Sequence, residues 1–458
     1  MLFNSFQFLL LFLPPVFALS LALKGNRLLA WITLASVAFY SFAGHVWFIG
    51  PMLVTICLDF AIGIWMARSS RVMRKVLLVT SLTANFGLLF YFKYSSWLLS
   101  GLQLLFKSDA VMAFQTILPA GISFYTFQSV SYIIDIYRAG ENAKPERNFW
   151  KFAGFIAFFP HLVAGPLTRH NQLTPQLERI AERGIRPRWR EGVFLFAIGL
   201  SKKLIIGDTL GRLVNPLLES GSPTLIASWC ALVGFTLQIY FDFSGYSDMA
   251  IGLGRLFDVE LPMNFNSPYQ AANPSDFWRR WHVTLSQWLR DYLYIPLGGN
   301  RLSAFRTSLN LMIAMVLGGL WHGAGVTFLI WGAWHGSLLL VYRLLGRRWD
   351  GLPKGVQKGL TFFLVMMGWL PFRASGLQQM GQWFQGLVGV NGLGVFLYPV
   401  ELGLALFFGL LMTLKLPEPS SHWKLSDWET VPQIALGLFT ALGVMFLAQT
   451  SAFLYFQF

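Results

Sequence analysis

The chain has 458 residues, of which 55% are hydrophobic and only 12% are charged, and its formal net charge is +14. A soluble domain has about 25% charged residues, so this composition excludes an ordinary soluble enzyme. Apolar runs of about 20 residues recur along the chain, which is the length that crosses a bilayer as a helix. These runs lack the apolar–polar alternation of barrel strands. We therefore predict an all-α, polytopic integral membrane protein. We attribute the positive charge to loops and anionic lipids, not to a nucleic-acid partner.

The first third of the chain predicts several spans joined by short connections. The apolar runs are Phe6–Leu23, Leu28–Phe48, Met52–Met66, Val76–Phe92 and a short run, Trp97–Phe106, at the outer interface. Gly50 and Pro51 suggest a turn between the second and third runs. No positive charge precedes the first run, so we expect no cleaved signal peptide and a periplasmic N-terminus. The basic loop at 68–75 is then predicted to face the cytoplasm.

The next part of the chain contains an interrupted apolar segment. Ile117–Tyr137 is a predicted span, and Phe152–Leu167 follows it but is broken by Pro160 and by Gly165 with its following proline. Basic residues lie on both sides of the broken segment, including the arginine-rich stretch 169–190. A short segment with both ends on one face predicts a re-entrant structure, which is tolerated where backbone is buried in protein or lines a cavity.

Two further predicted spans carry polar groups. Gly192–Leu218 includes two lysines and an aspartate, which indicates a side facing protein and not lipid. Ile226–Phe243 ends in the polar, aromatic stretch 240–248. That stretch fits a polar pocket wall and fits equally a span end with interfacial aromatics. Asp242 and Ser244 are therefore candidates for substrate binding.

An amphipathic helix is predicted over 273–290, lying along the membrane face. Asn273 is a favourable N-cap and Pro274 a favourable first helical residue. At 100° per residue the polar and charged side chains share one face and the aromatic ones the other. His282 falls at the border of the two faces. The candidate site residues of this segment and its continuation are Trp278, Arg279, Arg280, Trp281, His282, Ser286 and Tyr294.

A helical hairpin is predicted from Leu309–Leu320 and Thr327–Tyr342, with His322 at its break. The chain has only 7 histidines, and two of them lie here between tryptophan and glycine. An ionisable residue at membrane depth is by default a functional candidate, although a histidine hydrogen-bonded between packed helices is the alternative, more so for His335 than for His322. The candidates of this hairpin are Trp321, His322, Gly323, Trp331 and His335.

The predicted spans Thr361–Phe372, Val395–Leu414 and Gln433–Leu447 complete the chain. Together the segments predict about 11–12 transmembrane helices plus re-entrant and interfacial helices. The simplest organisation is one integral membrane domain over 1–458, with a catalytic core over about 117–345.

Histidine, arginine, tryptophan and glycine are the chemical groups available at membrane depth. The sequence contains no nucleophile elbow, phosphate-binding loop, dinucleotide fingerprint or zinc-peptidase motif. Its two cysteines have no metal-ligand spacing, and we expect neither a metal nor a bound cofactor. Histidine has an unperturbed pKa of about 6.5 and suits proton transfer near neutral pH. Two classes remain: an enzyme that deprotonates a hydroxyl or thiol, and a transporter whose histidines relay protons.

The segments 278–292, 294–299, 319–324 and 331–336 resemble the membrane-bound O-acyltransferase (MBOAT) family, in particular its bacterial branch for O-acetylation of alginate and similar polysaccharides. The resemblance extends to Gly165–Leu167, to 241–248 and to the ending 453–458, so it covers essentially the whole chain. It implies the MBOAT fold, with His322 as the catalytic histidine and His282 as the second important one.

The resemblance also implies substrates and partners. The acyl donor would be acetyl-CoA, entering from the cytoplasm, and the protein would lie in the bacterial inner membrane. A periplasmic or membrane-anchored polysaccharide acetyltransferase would complete the transfer to alginate, cellulose or another exopolysaccharide. The alternatives are a proton-coupled exporter of polysaccharide or lipid-linked sugar, and an enzyme that acylates a lipid with a long-chain acyl group.

Overall fold

The computed structural model describes residues 1–42, 44–106, 116–219, 221–394 and 399–416, together with Glu418 and Leu454. Over these residues the regular structure is helical throughout, without strands, as the sequence predicts. The chain forms two compact units, one made of residues 1–196 and 249–262 and the other of residues 197–248 and 263–458.

The first unit contains a series of helices, most of them apolar and the last one, α9, largely polar. In chain order they are α1 (Leu13–Ala22), α2 (Gly25–Ser41), α3 (Ile49–Ala67), α4 (Arg71–Leu89), α5 (Ser95–Phe106), α6 (Ile122–Ala139), α7 (Phe149–Ala157), α8 (Phe159–Leu162) and α9 (His170–Arg183). A π-helical turn, Gln7–Phe12, leads into α1, and another, Phe90–Tyr94, joins α4 to α5.

Two helices, α10 (Trp189–Ser201) and α12 (Leu225–Leu256), contribute residues to both units. Between them lie a π-helical segment, Lys202–Gly207, and α11 (Asp208–Glu219). The remaining helices of the second unit are α13 (Pro274–Trp278), α14 (Val283–Leu289), α15 (Ala304–His322), α16 (Val326–Asp350), α17 (Lys354–Arg373), α18 (Leu377–Leu387) and α19 (Pro399–Lys415).

Five helical segments of the described residues are long and apolar enough to cross a membrane. They are Val46–Ala67, Arg71–Gln103, Leu225–Leu256, Ala304–His322 and Val326–Asp350. The chain is therefore an all-α protein that crosses the membrane several times. The total of 11–12 spans, the single-domain organisation and the periplasmic N-terminus stay predictions. The predicted span Gln433–Leu447 lies outside the described residues.

Several predicted boundaries were wrong. Gly50 and Pro51 lie inside the first turn of α3 and make no turn between spans, because proline is tolerated where a helical N–H has no partner. Trp97–Phe106 is no separate segment, since a π-helical turn continues α4 directly into α5. The span predicted to end at Phe243 continues as α12 to Leu256.

The predicted break within 152–167 is confirmed. Helix α7 ends at Ala157, and Phe158 leaves the helical conformation with φ −51° and ψ 108°. Pro160 then lies in the first turn of the four-residue α8, where its missing N–H costs nothing. Every residue from Phe152 to Leu167 is buried. Irregular backbone at membrane depth is tolerated where protein covers it, and the burial of this segment meets that condition.

Candidate functional site

The segment predicted as one amphipathic helix is two helices with a turn between them, so the single-helix prediction was wrong. Asn273 does cap α13, its side chain accepting the N–H of Asp276 at 2.8 Å. The helix ends at Trp278, and α14 starts only at Val283. His282 lies in the turn with φ 43° and ψ 53°, a left-handed conformation that is uncommon for a residue other than glycine. Its side chain is fully buried.

The predicted hairpin is confirmed as α15 and α16, with His322 as the last residue of α15. Glycines allow the backbones of α15 and α16 to pack in direct contact. A Cβ on Gly319 would lie 2.3 Å from the carbonyl oxygen of Phe328, and a Cβ on Gly332 would lie 2.5 Å from that of Met315. Real side chains do not approach so closely, so these positions require glycine, as in close helix packing within membranes.

His322 is buried among aromatic rings. Its ring centroid lies 5.0 Å from those of Trp321 and Trp331, both in edge-on contacts, and 5.4 Å from that of Phe372. The ring of His282 lies 6.2 Å away. The fold therefore brings together the two histidines that the sequence singles out, one from the turn before α14 and the other from the end of α15.

A cavity of about 550 Å³ opens beside His322. This volume falls in the usual range for small-molecule sites. Six of the candidate site residues line it, namely Trp278, Arg279, Ser286, Tyr294, His322 and Trp331. Its other lining residues are Ser275, Val283, Leu285, Gln287, Leu289, Arg290, Leu311, Ala314, Met315, Gly318 and Leu339. The cavity is thus mainly apolar, with a small number of polar groups and one buried histidine.

The two arginines of the cavity, Arg279 and Arg290, are both exposed. Arg290 donates to Asp291 at 2.7 Å, and this hydrogen bond raises its pKa further. Arg280, by contrast, lies outside the cavity lining and pairs with Asp276 at 2.9 Å. The cavity can therefore present guanidinium groups, which bind phosphate or carboxylate oxygens well.

Comparison with known proteins identifies the family. The profile described as "MBOAT, membrane-bound O-acyltransferase family" matches residues 143–351, a range that includes every residue lining the cavity. The chain is 42% identical over 390 residues to the probable alginate O-acetylase AlgI of Azotobacter vinelandii, covering 82% of this chain and 76% of that one. The chain belongs to the membrane-bound O-acyltransferase family. It is accordingly an acyltransferase.

Other relatives have related names. The chain is 37% identical over 432 residues to the peptidoglycan O-acetyltransferase of Helicobacter pylori, covering 86% of this chain and 81% of that one. It is 27% identical over 272 residues to the teichoic acid D-alanyltransferase of Bacillus subtilis, covering 55% of this chain and 68% of that one. All three relatives named here have acyl transfer in their names, and each name includes a cell-envelope or secreted polymer.

Two candidate residues of the acyltransferase, Trp281 and His335, lie outside the cavity lining. Trp281 is fully buried against Phe265 and Trp369, with ring centroids 5.0 Å and 4.9 Å away. His335 lies outside the lining, in contact with two tryptophans that do line it, at 5.1 Å from Trp278 and 4.9 Å from Trp331.

Trp321 and Gly323, which flank His322 in the chain, also pack against other side chains. Trp321 contacts both histidines, at 5.0 Å from His322 and 5.8 Å from His282. A Cβ on Gly323 would lie 2.1 Å from the ring of Phe328, so this glycine lets Phe328 pack against the end of α15.

Asp242 and Ser244 lie apart from the cavity lining, on the buried part of α12. Asp242 pairs with Lys203 at 2.5 Å, and Lys203 also donates to Asp208 at 2.6 Å. Lys202 pairs with Asp248 at 2.7 Å and with Glu418. Both lysines come from the π-helical segment Lys202–Gly207. Ion pairing therefore explains how the polar stretch of α12 can be buried.

Some site residues were missed by the sequence analysis. Gln287, Met315 and Leu339 line the cavity, and Asn264 contacts His282 with its side-chain oxygen 3.1 Å from Nδ1. Asn264 lies in an irregular segment without a periodic pattern or a motif, so no sequence signal could have linked it to His282. Among the described residues no group of three or more histidine, cysteine, aspartate or glutamate side chains could hold a metal ion.

Proposed function

We propose that this acyltransferase takes acetyl groups from cytoplasmic acetyl-CoA and passes them across the bacterial inner membrane for O-acetylation of an exopolysaccharide. The observation that carries the proposal is the position of His322 on the wall of an apolar cavity that Arg279 and Arg290 also line. Similarity to proteins named alginate O-acetylase and peptidoglycan O-acetyltransferase supports acetyl as the transferred group and a glycan as its destination.

The chemistry is a transfer between a thioester and a hydroxyl. His322 accepts the proton of the acceptor hydroxyl as the oxygen attacks the acetyl carbonyl carbon. The new C–O ester bond forms, the C–S bond breaks, and the proton passes from His322 to the leaving thiolate. Atoms and charges balance without a metal or a redox cofactor. His282 orients the reacting groups or relays the proton.

The polar and apolar parts of the cavity suit the two ends of the donor. Acetyl-CoA carries several phosphate charges at one end and a small, uncharged acetyl thioester at the other. Arg279 and Arg290 would hold the phosphates, since guanidinium groups bind phosphate bidentately. The alternative use of these arginines is to hold the anionic headgroups of membrane lipids.

The polymer acceptor requires a further protein. We propose that a periplasmic or membrane-anchored acetyltransferase with its own nucleophile receives the acetyl group and transfers it to the polymer. Acetylation of the whole polymer by the purified acyltransferase and acetyl-CoA alone would contradict this step. Alginate, cellulose and other exopolysaccharides are the candidate polymers.

The decisive experiment measures acetate esters in the secreted polymer from cells with the intact gene, without it, and with His322→Ala. We expect ester content to disappear in the deletion and in the variant while the variant remains in the membrane at the normal level. His45→Ala, at an exposed histidine of the first unit, is the matched control and should retain normal ester content.

The same cells distinguish the two rival functions. Loss of secreted polymer with unchanged acetylation of the remainder would favour a proton-coupled exporter. Normal polymer esters together with loss of a long-chain acylated lipid would favour a lipid acyltransferase. Wild-type ester content with His322→Ala present in the membrane would contradict the catalytic assignment.

A further inference from the structure

A single asparagine holds the turn that carries His282. The backbone carbonyl of Asn264 accepts the N–H of Val283 at 2.9 Å. Its side-chain oxygen accepts the hydroxyl of Thr284 at 2.9 Å and the backbone N–H of Thr284 at 3.4 Å. The same oxygen lies 3.1 Å from Nδ1 of His282. Asn264 therefore contacts three successive residues, His282 in the turn and the first two residues of α14.

The orientation of the Asn264 amide follows from its neighbours. A backbone N–H can only donate, so the atom of Asn264 that faces Thr284 is the oxygen and not the nitrogen. The amide nitrogen faces the other way and donates to the hydroxyl of Ser247 at 3.4 Å. The side chains of His282, Thr284 and Ser247 are buried, and Asn264 itself is fully buried, so water does not compete for the hydrogen bonds between these side chains.

This orientation fixes the tautomer of His282. The oxygen of Asn264 can only accept, so Nδ1 of His282 must carry the hydrogen. In a neutral imidazole the lone pair available for a proton is then on Nε2. Phe243 and Trp321 contact the ring edge-on at centroid distances of 4.8 Å and 5.8 Å, which restricts its rotation.

The backbone conformation of His282 is a second reason why this residue needs contacts from another segment. Its left-handed conformation, φ 43° and ψ 53°, is unfavourable for most side chains and persists only where surrounding contacts hold it. The hydrogen bonds from Val283 and Thr284 to Asn264 come directly after this residue. Strained residues of this kind concentrate at functional sites, where a fixed geometry matters.

We propose that Asn264 is a positioning residue of the acyl transfer reaction: it holds the His282 ring in one orientation and in the Nδ1–H tautomer, so that the lone pair of the neutral ring is on Nε2. The inference rests on the proposed function, in which His282 acts beside His322. Orientation of a catalytic base by a third group is a general arrangement in enzymes. Asn264 is neutral, so its effect is on geometry and proton location and not on charge.

The test is a double-mutant cycle with purified protein, acetyl-CoA and an acceptor, measuring kcat and KM for acetyl-CoA separately. Asn264→Ala should lower kcat by about 100-fold, the size expected when a catalytic group is displaced by about 1 Å, and leave KM nearly unchanged. In a His282→Ala background the same change should have no further effect on kcat, because Asn264 then has no catalytic ring to position. Equal losses in both backgrounds would overturn the inference and indicate a merely structural role.

Two further variants keep the test interpretable. Thr284→Val removes the hydroxyl hydrogen bond to Asn264 but keeps the backbone N–H bond and the contact of Asn264 with His282, so it should lower kcat much less than Asn264→Ala does. If Asn264→Ala does not reach the membrane, Asn264→Asp, which keeps the side-chain shape, replaces it in the cycle. Its change in kcat should again require His282, and an equal change without His282 would overturn the inference.

The proposed function and this inference fail in different ways. Normal acetyl transfer by His322→Ala would contradict the proposed function. Loss of transfer in His322→Ala, together with wild-type kcat in Asn264→Ala, would leave the proposed function intact and overturn the inference alone.

Discussion

The imidazole ring of His282 lies 6.2 Å from that of His322, and Trp321 contacts both rings. The two histidines come from different segments, one from the turn before α14 and the other from the end of α15. Of the two, His322 lines the cavity and His282 does not, so we expect His282 to act beside His322.

We expect the two histidines to behave as one catalytic unit. His322→Ala should lower kcat by about 10² to 10⁴-fold, the range for loss of a general acid–base group, and His282→Ala should lower it less. The double variant should be no worse than His322→Ala, because residues of one unit are not additive. Initial rates with purified protein would show this, and a double variant whose loss equals the product of the single losses would contradict it.

Arg279, which lines the cavity, and Arg280, which does not, are a matched pair for testing the donor site. Arg279→Ala should raise KM for acetyl-CoA with little change in kcat, the pattern of lost ground-state binding. Arg280→Ala should leave KM unchanged, since Arg280 pairs with Asp276 and does not line the cavity. Less Arg279→Ala protein in the membrane, with unchanged KM in what remains, would instead favour a lipid-binding role.

The glycine contact between α15 and α16 predicts a steric effect on catalysis. Gly319→Ala would place a methyl group 2.3 Å from a backbone oxygen of α16, so the helices must separate. A shift of about 1 Å at His322 or Trp331 should lower kcat about 100-fold. Gly346→Ala, on the same helical hairpin but in open space, is the control. Equal activity of the two variants would show that the close contact does not set the site geometry.

The buried lysines of the π-helical segment predict a large effect on stability. Lys202→Met would leave Asp248 and Glu418 without their cation. Breaking a buried ion pair by removing one partner costs about 3–5 kcal/mol, so Tm in detergent should fall markedly. Lys415→Met, at an exposed lysine, should leave Tm unchanged. An unchanged Tm for Lys202→Met would mean that these pairs contribute little to folding.

Membrane topology can be tested with single cysteines on a background lacking Cys57 and Cys230. The basic regions of the sequence are 68–75, 169–190 and 343–358, and exposed positions within them are Arg71, Asn171 and Arg347. Because lysine and arginine concentrate in cytoplasmic loops, cysteines at these positions should resist an impermeant reagent added to intact cells and react after lysis. Labelling of any of them from outside would contradict the predicted orientation and the re-entrant assignment of 152–167.

Much of the fold could be predicted from the sequence because bilayer helices are set by local composition. The length and apolarity of each run predicted the helical class, and proline and glycine predicted the breaks at Pro160 and around His322. Helix ends were predicted less accurately. The end of α12 was placed too early because Asp242 and Asp248 look like a polar boundary, whereas buried lysines pair with both.

The sequence by itself determined the family motifs, the helical class and the choice of His282 and His322 as candidates, since each depends on residues adjacent in the chain. Only the tertiary structure decided which candidates share a cavity: it includes Arg279, leaves out Arg280, and places Asn264 against His282. The physical reason is the turn at His282. A helical wheel assumes continuous rotation of 100° per residue, and a left-handed residue at φ 43° ends that regularity. Beyond that residue, the directions of the side chains depend on hydrogen bonds to Asn264, which lies in a separate segment of the chain. A local sequence pattern cannot predict such bonds.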